Sequence, residues 1–122
     1  MITETKTRQV EPDITVIEIA GRLSLGNVLL SLEHSLKRLI EEGARKLVID
    51  VSSLESIDSA GIGMLVSCSG EIEQAGGRMR IAGARGSIAK AFDMIHIDRL
   101  ATVDADVEAA CRQLGVDGAS AS

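Results

Sequence analysis

Ser56-Ile57-Asp58-Ser59-Ala60-Gly61-Ile62-Gly63-Met64-Leu65 follows an apolar run, Lys46-Leu47-Val48-Ile49-Asp50-Val51, and the two together set the fold. The apolar run reads as a strand covered on both faces or central in a sheet. After it, Ile62, Leu65, Cys68 and Ile72 recur at helical spacing. Asp58 and Ser59 therefore stand where a strand has ended and a helix begins. Side-chain oxygens are favoured there because they accept hydrogen bonds from the unpaired amides of the first turn. A serine hydroxyl at a helix N-terminus is also a good place for a phosphate, since the same amides and the helix dipole favour added negative charge. The cap and the phosphate acceptor are two readings of the same serine. The small residues Ala60, Gly61 and Gly63 read as room for another surface to approach.

Working towards the N-terminus, Gly43 ends a helix expected from about Asn27 to Glu42. Its apolar face is Val28, Leu29, Leu32, Leu36, Leu39 and Ile40, and Glu33 and Lys37 are spaced for a weak i,i+4 ion pair. Gly21-Arg22-Leu23-Ser24 connects it to a β-branched strand, Ile14 to Ile19. Glu11-Pro12-Asp13 turns back to a polar edge strand from Thr3 to Val10, so the chain starts with an antiparallel hairpin.

Working towards the C-terminus, the helix after Ser59 runs to about Ala75 and stops at Gly76-Gly77. A fourth strand covers Arg78 to Ala82, and a loop spans Gly83 to Gly86. Ser87 is expected to cap a short helix with Ile88, Ala91, Phe92 and Ile95 inward. Leu100 to Val103 reads as a brief edge strand. Asp104 is expected to cap a last helix with Val107, Cys111 and Leu114 inward. The order ββαβαβα(β)α predicts an α/β domain with a mixed sheet of four to five strands and about four helices. The domain is expected to span 3–114, with a flexible tail at 115–122.

Composition narrows the function. The chain has 122 residues, a formal net charge of −5, 45 % apolar residues and a single aromatic, Phe92. No basic cluster or aromatic platform suggests nucleic-acid binding. The first ten residues lack the apolar core of a signal peptide, and no run approaches the roughly 18 apolar residues of a membrane span. A cytoplasmic protein without membrane insertion is expected. Cys68 and Cys111 fall on apolar helix faces and read as buried free thiols. His34 and His96 have no second ligand at metal spacing, so no metal and no cofactor are expected.

Catalysis finds little support. Ile57-Asp58-Ser59-Ala60-Gly61 lacks the first glycine of a nucleophile elbow, and a triad would need His34 or His96 brought to Ser59. Neither G-x-G-x-x-G nor a phosphate-binding G-x-x-x-x-G-K-[ST] occurs. No catalytic residue is assigned.

Ile57-Asp58-Ser59-Ala60-Gly61-Ile62-Gly63 resembles the signature of the STAS domain, the fold of bacterial anti-sigma factor antagonists. Gly21-Arg22-Leu23 resembles the family's G-[ER]-L segment. Lys46-Leu47-Val48-Ile49-Asp50 resembles its central strand, and Ala75-Gly76-Gly77-Arg78 the turn after its central helix. The resemblance covers about Thr3 to Leu114. It implies a protein switch in which an anti-sigma factor with serine kinase activity phosphorylates Ser59. The unmodified chain would bind that kinase and free the sigma factor, and a serine phosphatase would reset the modified form. It also implies a partner-binding surface at Asp58, Ser59, Ala60, Gly61, Ile62, Gly63, Ser24 and Asn27. Many members carry Asp directly after G-[ER]-L, where this chain has Ser24; Asn27 is retained. Ser56 is a second hydroxyl near the loop. STAS domains also act as scaffolds in stress-sensing assemblies and as cytosolic partners of transporters, and the open edge at Thr3 to Val10 offers a route to a homodimer.

Overall fold

The β-branched run after Pro12 forms a strand longer than its pattern suggests. In the computed structural model, which describes residues 4–10 and 12–121 (side chains as far as residue 115), β2 spans Ile14–Leu23. It pairs antiparallel with β1, Glu4–Val10, the exposed edge strand. Thr3 and Glu11, placed in the hairpin by the sequence, lie outside the described residues. The chain continues through α1 (Asn27–Glu41), β3 (Lys46–Ile57), α2 (Ser59–Gln74), β4 (Arg78–Ala82) and α3 (Gly86–Met94). A single 3-10 turn (Ile97–Arg99), β5 (Thr102–Asp104) and α4 (Val107–Ala121) complete it. The five strands lie in sequence order, with β2 to β5 parallel.

β3 is central, and its unbroken apolar run is explained by cover on both faces. Leu47, Ile49 and Val51 point into the main core, with Leu29, Leu32 and Leu36 of α1, Leu65, Cys68 and Ile72 of α2, and Ile88 and Phe92 of α3. Val48 points the other way, into a smaller core with Ile14, Val16, Ala110 and Leu114. With one aromatic residue available, aliphatic side chains fill both cores.

The largest departure from the sequence reading lies in β3, expected to stop at Val51 but continuing to Ile57. Its register against β2 slips twice: Glu18 faces Asp50 while Ala20 faces Ser53, and Gly21 faces Leu54 while Arg22 faces Ser56. Each slip inserts one extra residue into β3, a β-bulge. The core-facing residues of this half are consequently Val51, Leu54 and Ile57, three apart. A period-two pattern does not register such a strand. The Asp50 carboxylate accepts the Ser52 amide at 3.0 Å within the first bulge.

Smaller differences have local causes. Asp104 does not cap α4: it sits in β5 and takes a bidentate ion pair from Arg80, at 2.6 and 3.1 Å. Asp106 is the cap, accepting the Ala109 amide at 2.8 Å. Ser87 is not the cap of α3, which starts at Gly86 after Arg85 with no side-chain cap. Ile95 and Val28, expected inward, are exposed, as is Leu100, which precedes β5. The Glu33–Lys37 pair forms at 3.5 Å, and Lys37 also reaches Glu71 of α2 at 3.8 Å. Cys68 is buried, Cys111 half-buried, and both are free thiols. Burial, with Glu71 and Glu33 adding to it, pushes the Cys68 thiol up to about 12. The inward face of α4 is described as far as Leu114, while its helical backbone continues to Ala121, past the expected boundary at residue 115.

Candidate functional site

The ends of β2 and β3 lie side by side, Leu23 opposite Ile57, and both chains leave the sheet there. The Asp58 amide donates to the Leu23 carbonyl at 3.2 Å, so the two exits are joined at the backbone. The Asp58 carboxylate then bridges two segments: one oxygen accepts the Gly61 amide at 2.9 Å, capping α2, and the other accepts the Leu25 amide at 3.0 Å. The Leu25 amide first, and the Gly61 amide second, hold the Asp58 carboxyl below its ordinary range. Asp58 is therefore an ionised group at neutral pH, and it ties the β2–α1 loop to the start of α2.

Ser59 is the first residue of α2, and it is exposed. Among the described residues no hydrogen bond engages its hydroxyl. Asp58, not Ser59, supplies the cap, which leaves the serine oxygen available for chemistry from outside. Neither histidine is bonded to it: His34 lies exposed on α1 and His96 exposed before the 3-10 turn. With its oxygens engaged by two backbone amides, Asp58 does not orient a histidine either. A serine-hydrolase arrangement has no support in this geometry. Among the described residues no three His, Cys, Asp or Glu side chains converge as metal ligands, and no helix is long and apolar enough to cross a membrane.

The eight residues expected in the partner surface divide by location. Ser59, Gly63 and Asn27 are exposed; Asp58, Ala60, Ile62 and Ser24 are half-buried. Gly61 is buried, and its role is internal. A Cβ there would stand 2.5 Å from the Leu23 carbonyl oxygen and 2.9 Å from an Ile57 side-chain carbon. Glycine at 61 lets α2 start directly against the end of β2, so its expectation as room for a partner is corrected. At Gly63 an added Cβ would meet nothing within 4 Å, and this position does present open surface. Ser24 sits between Leu23 and Leu25, each hydrogen-bonded to Asp58, which brings it beside the site. Asn27 opens α1 after Gly26, which offers no side-chain cap.

One contributor escaped the sequence reading. Leu25 is 77 % exposed in the loop, although its backbone is fixed by Asp58. The available signal was weak: Leu25 stands four residues before Leu29, in register with the buried face of α1, but it precedes the helix, between Ser24 and Gly26.

The order of elements, the Asp58–Ser59 exit and the single-layer packing of α1, α2 and α3 coincide with one known family. The family model described as STAS domain matches residues 5–110. The chain belongs to the STAS domain family. Solved structures agree on the fold. An anti-sigma factor antagonist from Mycobacterium paratuberculosis is 18 % identical, with a TM-score of 0.79 over 93 % of this chain and 94 % of that one. The anti-sigma factor antagonist SpoIIAA in its unphosphorylated form is 20 % identical (TM-score 0.71, 90 % and 96 %). The same Bacillus protein in phosphorylated form gives 20 % and 0.70 over 89 % and 98 %. The murine anion transporter Slc26a9 also contains the fold: 15 % identity and a TM-score of 0.68, over 93 % of this chain and 22 % of the transporter. This STAS domain therefore shares the antagonist-like architecture.

Proposed function

We propose that this STAS domain is an anti-sigma factor antagonist that works as a phosphorylation switch at Ser59 and catalyses nothing itself. Unmodified, it binds an anti-sigma factor with serine kinase activity and frees the sigma factor; phosphorylated, it is released, and a serine phosphatase resets it. The observation that carries this reading is the exposed Ser59 hydroxyl, unengaged among the described residues, at the first position of α2 beside a carboxylate fixed in place. The fold relative SpoIIAA, which occurs in unphosphorylated and phosphorylated forms, supports it. The setting would be cytoplasmic.

The physical logic is short. A phosphate adds about −1.5 to −2 charges at pH 7. Here it would stand next to Asp58, whose carboxyl is already ionised and whose amide partners are occupied. Two adjacent anions on a contact surface repel an acidic or close-packed partner without refolding this chain. Losing about 3 kcal/mol weakens a complex more than a hundredfold, since each 1.4 kcal/mol is tenfold. Ser24, in place of the carboxylate many relatives carry, leaves Asp58 as the nearer source of negative charge.

Affinity capture from native lysate with wild-type, Ser59→Ala and Ser59→Asp baits tests the reading. A serine kinase of the anti-sigma type retained by the first two and lost by the third is the expected result. One partner retained equally by all three would make Ser59 a structural residue and turn the assignment to a scaffold or transport-associated STAS module.

A further inference from the structure

Charge is distributed unevenly in this chain. A quarter of its residues are charged, yet residues 23–32 and 59–70 contain no Asp, Glu, Lys or Arg. The first window runs from the end of β2 through the front half of α1; the second is most of α2. The two helices pack against each other, so the windows form one neighbourhood. Three of the six large apolar side chains left exposed among the described residues fall in the first window: Leu25 at 77 %, Val28 at 49 % and Leu30 at 51 %. Asp58, at the junction of the windows, is the charged group tied into them by hydrogen bonds. Depletion of charge around exposed apolar side chains is the composition of the centre of a protein–protein contact.

Resting on the reading of Ser59 as a partner contact, we infer that Leu25 is the apolar anchor of that contact, with Leu30, exposed in the same charge-free window, as a secondary contact. The occupant is the protein partner that engages unmodified Ser59, and beside that serine it presents an apolar socket for Leu25. Continuity argues for this occupant: the Leu25 amide is bonded to the carboxylate of the residue next to Ser59. A membrane surface is disfavoured, because anionic headgroups attract Lys and Arg and neither window holds any. The anchor also accounts for the direction of the switch. A phosphate brought against an apolar socket loses water and gains no cation, whereas a partner lined with arginines would bind the modified form more tightly.

Calorimetric titration tests the assignment, with the purified serine kinase recovered by the wild-type bait as probe. Leu25→Ser is expected to weaken binding about tenfold or more and Leu30→Ser by several-fold. Met94→Ser, at an exposed apolar position outside both windows, is expected to leave affinity unchanged. Leu25 is outside the core, and a thermal melt at the wild-type temperature confirms that Leu25→Ser is folded. Undiminished binding by folded Leu25→Ser, with Ser59→Asp still released, overturns the anchor and leaves the switch standing. Dissolution of a homodimer by Leu25→Ser without loss of kinase binding makes a second copy the occupant and overturns it too. Recovery of no serine kinase overturns the parent reading and the anchor together.

Discussion

The two ends of α2 are built on the same geometric demand and put to different use. At its start, Gly61 lies against the Leu23 carbonyl, where a Cβ would come within 2.5 Å of the oxygen. Just past its end, Gly77 lies against the Arg45 carbonyl, where a Cβ would come within 2.4 Å. Both glycines let the helix meet the sheet at backbone distance. The C-terminal end is closed mainly by backbone bonds, among them Gly77 to Ile72 at 2.8 Å and Arg78 to Arg45 at 2.7 Å. The N-terminal end is closed by a carboxylate, which leaves a serine hydroxyl facing outward. A glycine in a signature motif is therefore weak evidence of a binding surface. Gly61 serves packing and Gly63, two residues on, is open.

Substitution separates the two ends of α2, and the largest effects belong to the glycines. Gly77→Ala and Gly61→Ala should each destabilise the domain by about 1–3 kcal/mol, since backbone must yield in both cases. Urea denaturation measures this, and a neutral Gly61→Ala would remove the internal role assigned to it. Asp58→Ala should lower stability by less than either glycine change, and Asp58→Asn by less again, because an amide oxygen still accepts one of the two bonds. The folded carboxyl titrates below its unfolded value, so its contribution is present above about pH 4 and is lost as pH falls through the folded pKa. The gap between wild type and Asp58→Asn should accordingly close on acidification; a gap that widened would contradict the double bond to Leu25 and Gly61.

Between the two ends lies Cys68, with its thiol pushed up to about 12 by burial. Alkylation at pH 8 followed by mass spectrometry should label half-buried Cys111 first and Cys68 only on unfolding. The smallest effect is expected at Gly63. Alanine there meets nothing within 4 Å and should be neutral or stabilise by up to roughly 1 kcal/mol through helix propensity. Destabilisation would mean that the open surface at this position is not open.

Much of this arrangement was legible in the residues. The apolar run of β3, the helical spacing after Ser59 and the hairpin before α1 follow from local pattern, and Asp58 at a strand-to-helix exit follows from side-chain chemistry. What escaped was set by contacts distant in sequence. The bulged half of β3 spaces its core residues by three because β2 slips beneath it. Asp104 reads as a cap until Arg80, on the neighbouring strand, claims it. Leu25 went unread because the contact that matters is remote: the Asp58 carboxylate, 33 residues away, fixes its backbone. Gly61 and Gly63 are identical in sequence terms, and only the packing of α2 on Leu23 separates them.

The claim that Ser59 is the switch is tested most directly by incubating the chain with the captured kinase and ATP, then locating phosphate by fragmentation mass spectrometry. The account predicts one phosphate, on Ser59, absent from Ser59→Ala although Ser56 and Ser24 remain. Phosphate on Ser56 or Ser24, or a Ser59→Ala chain labelled as fully as wild type, would contradict it.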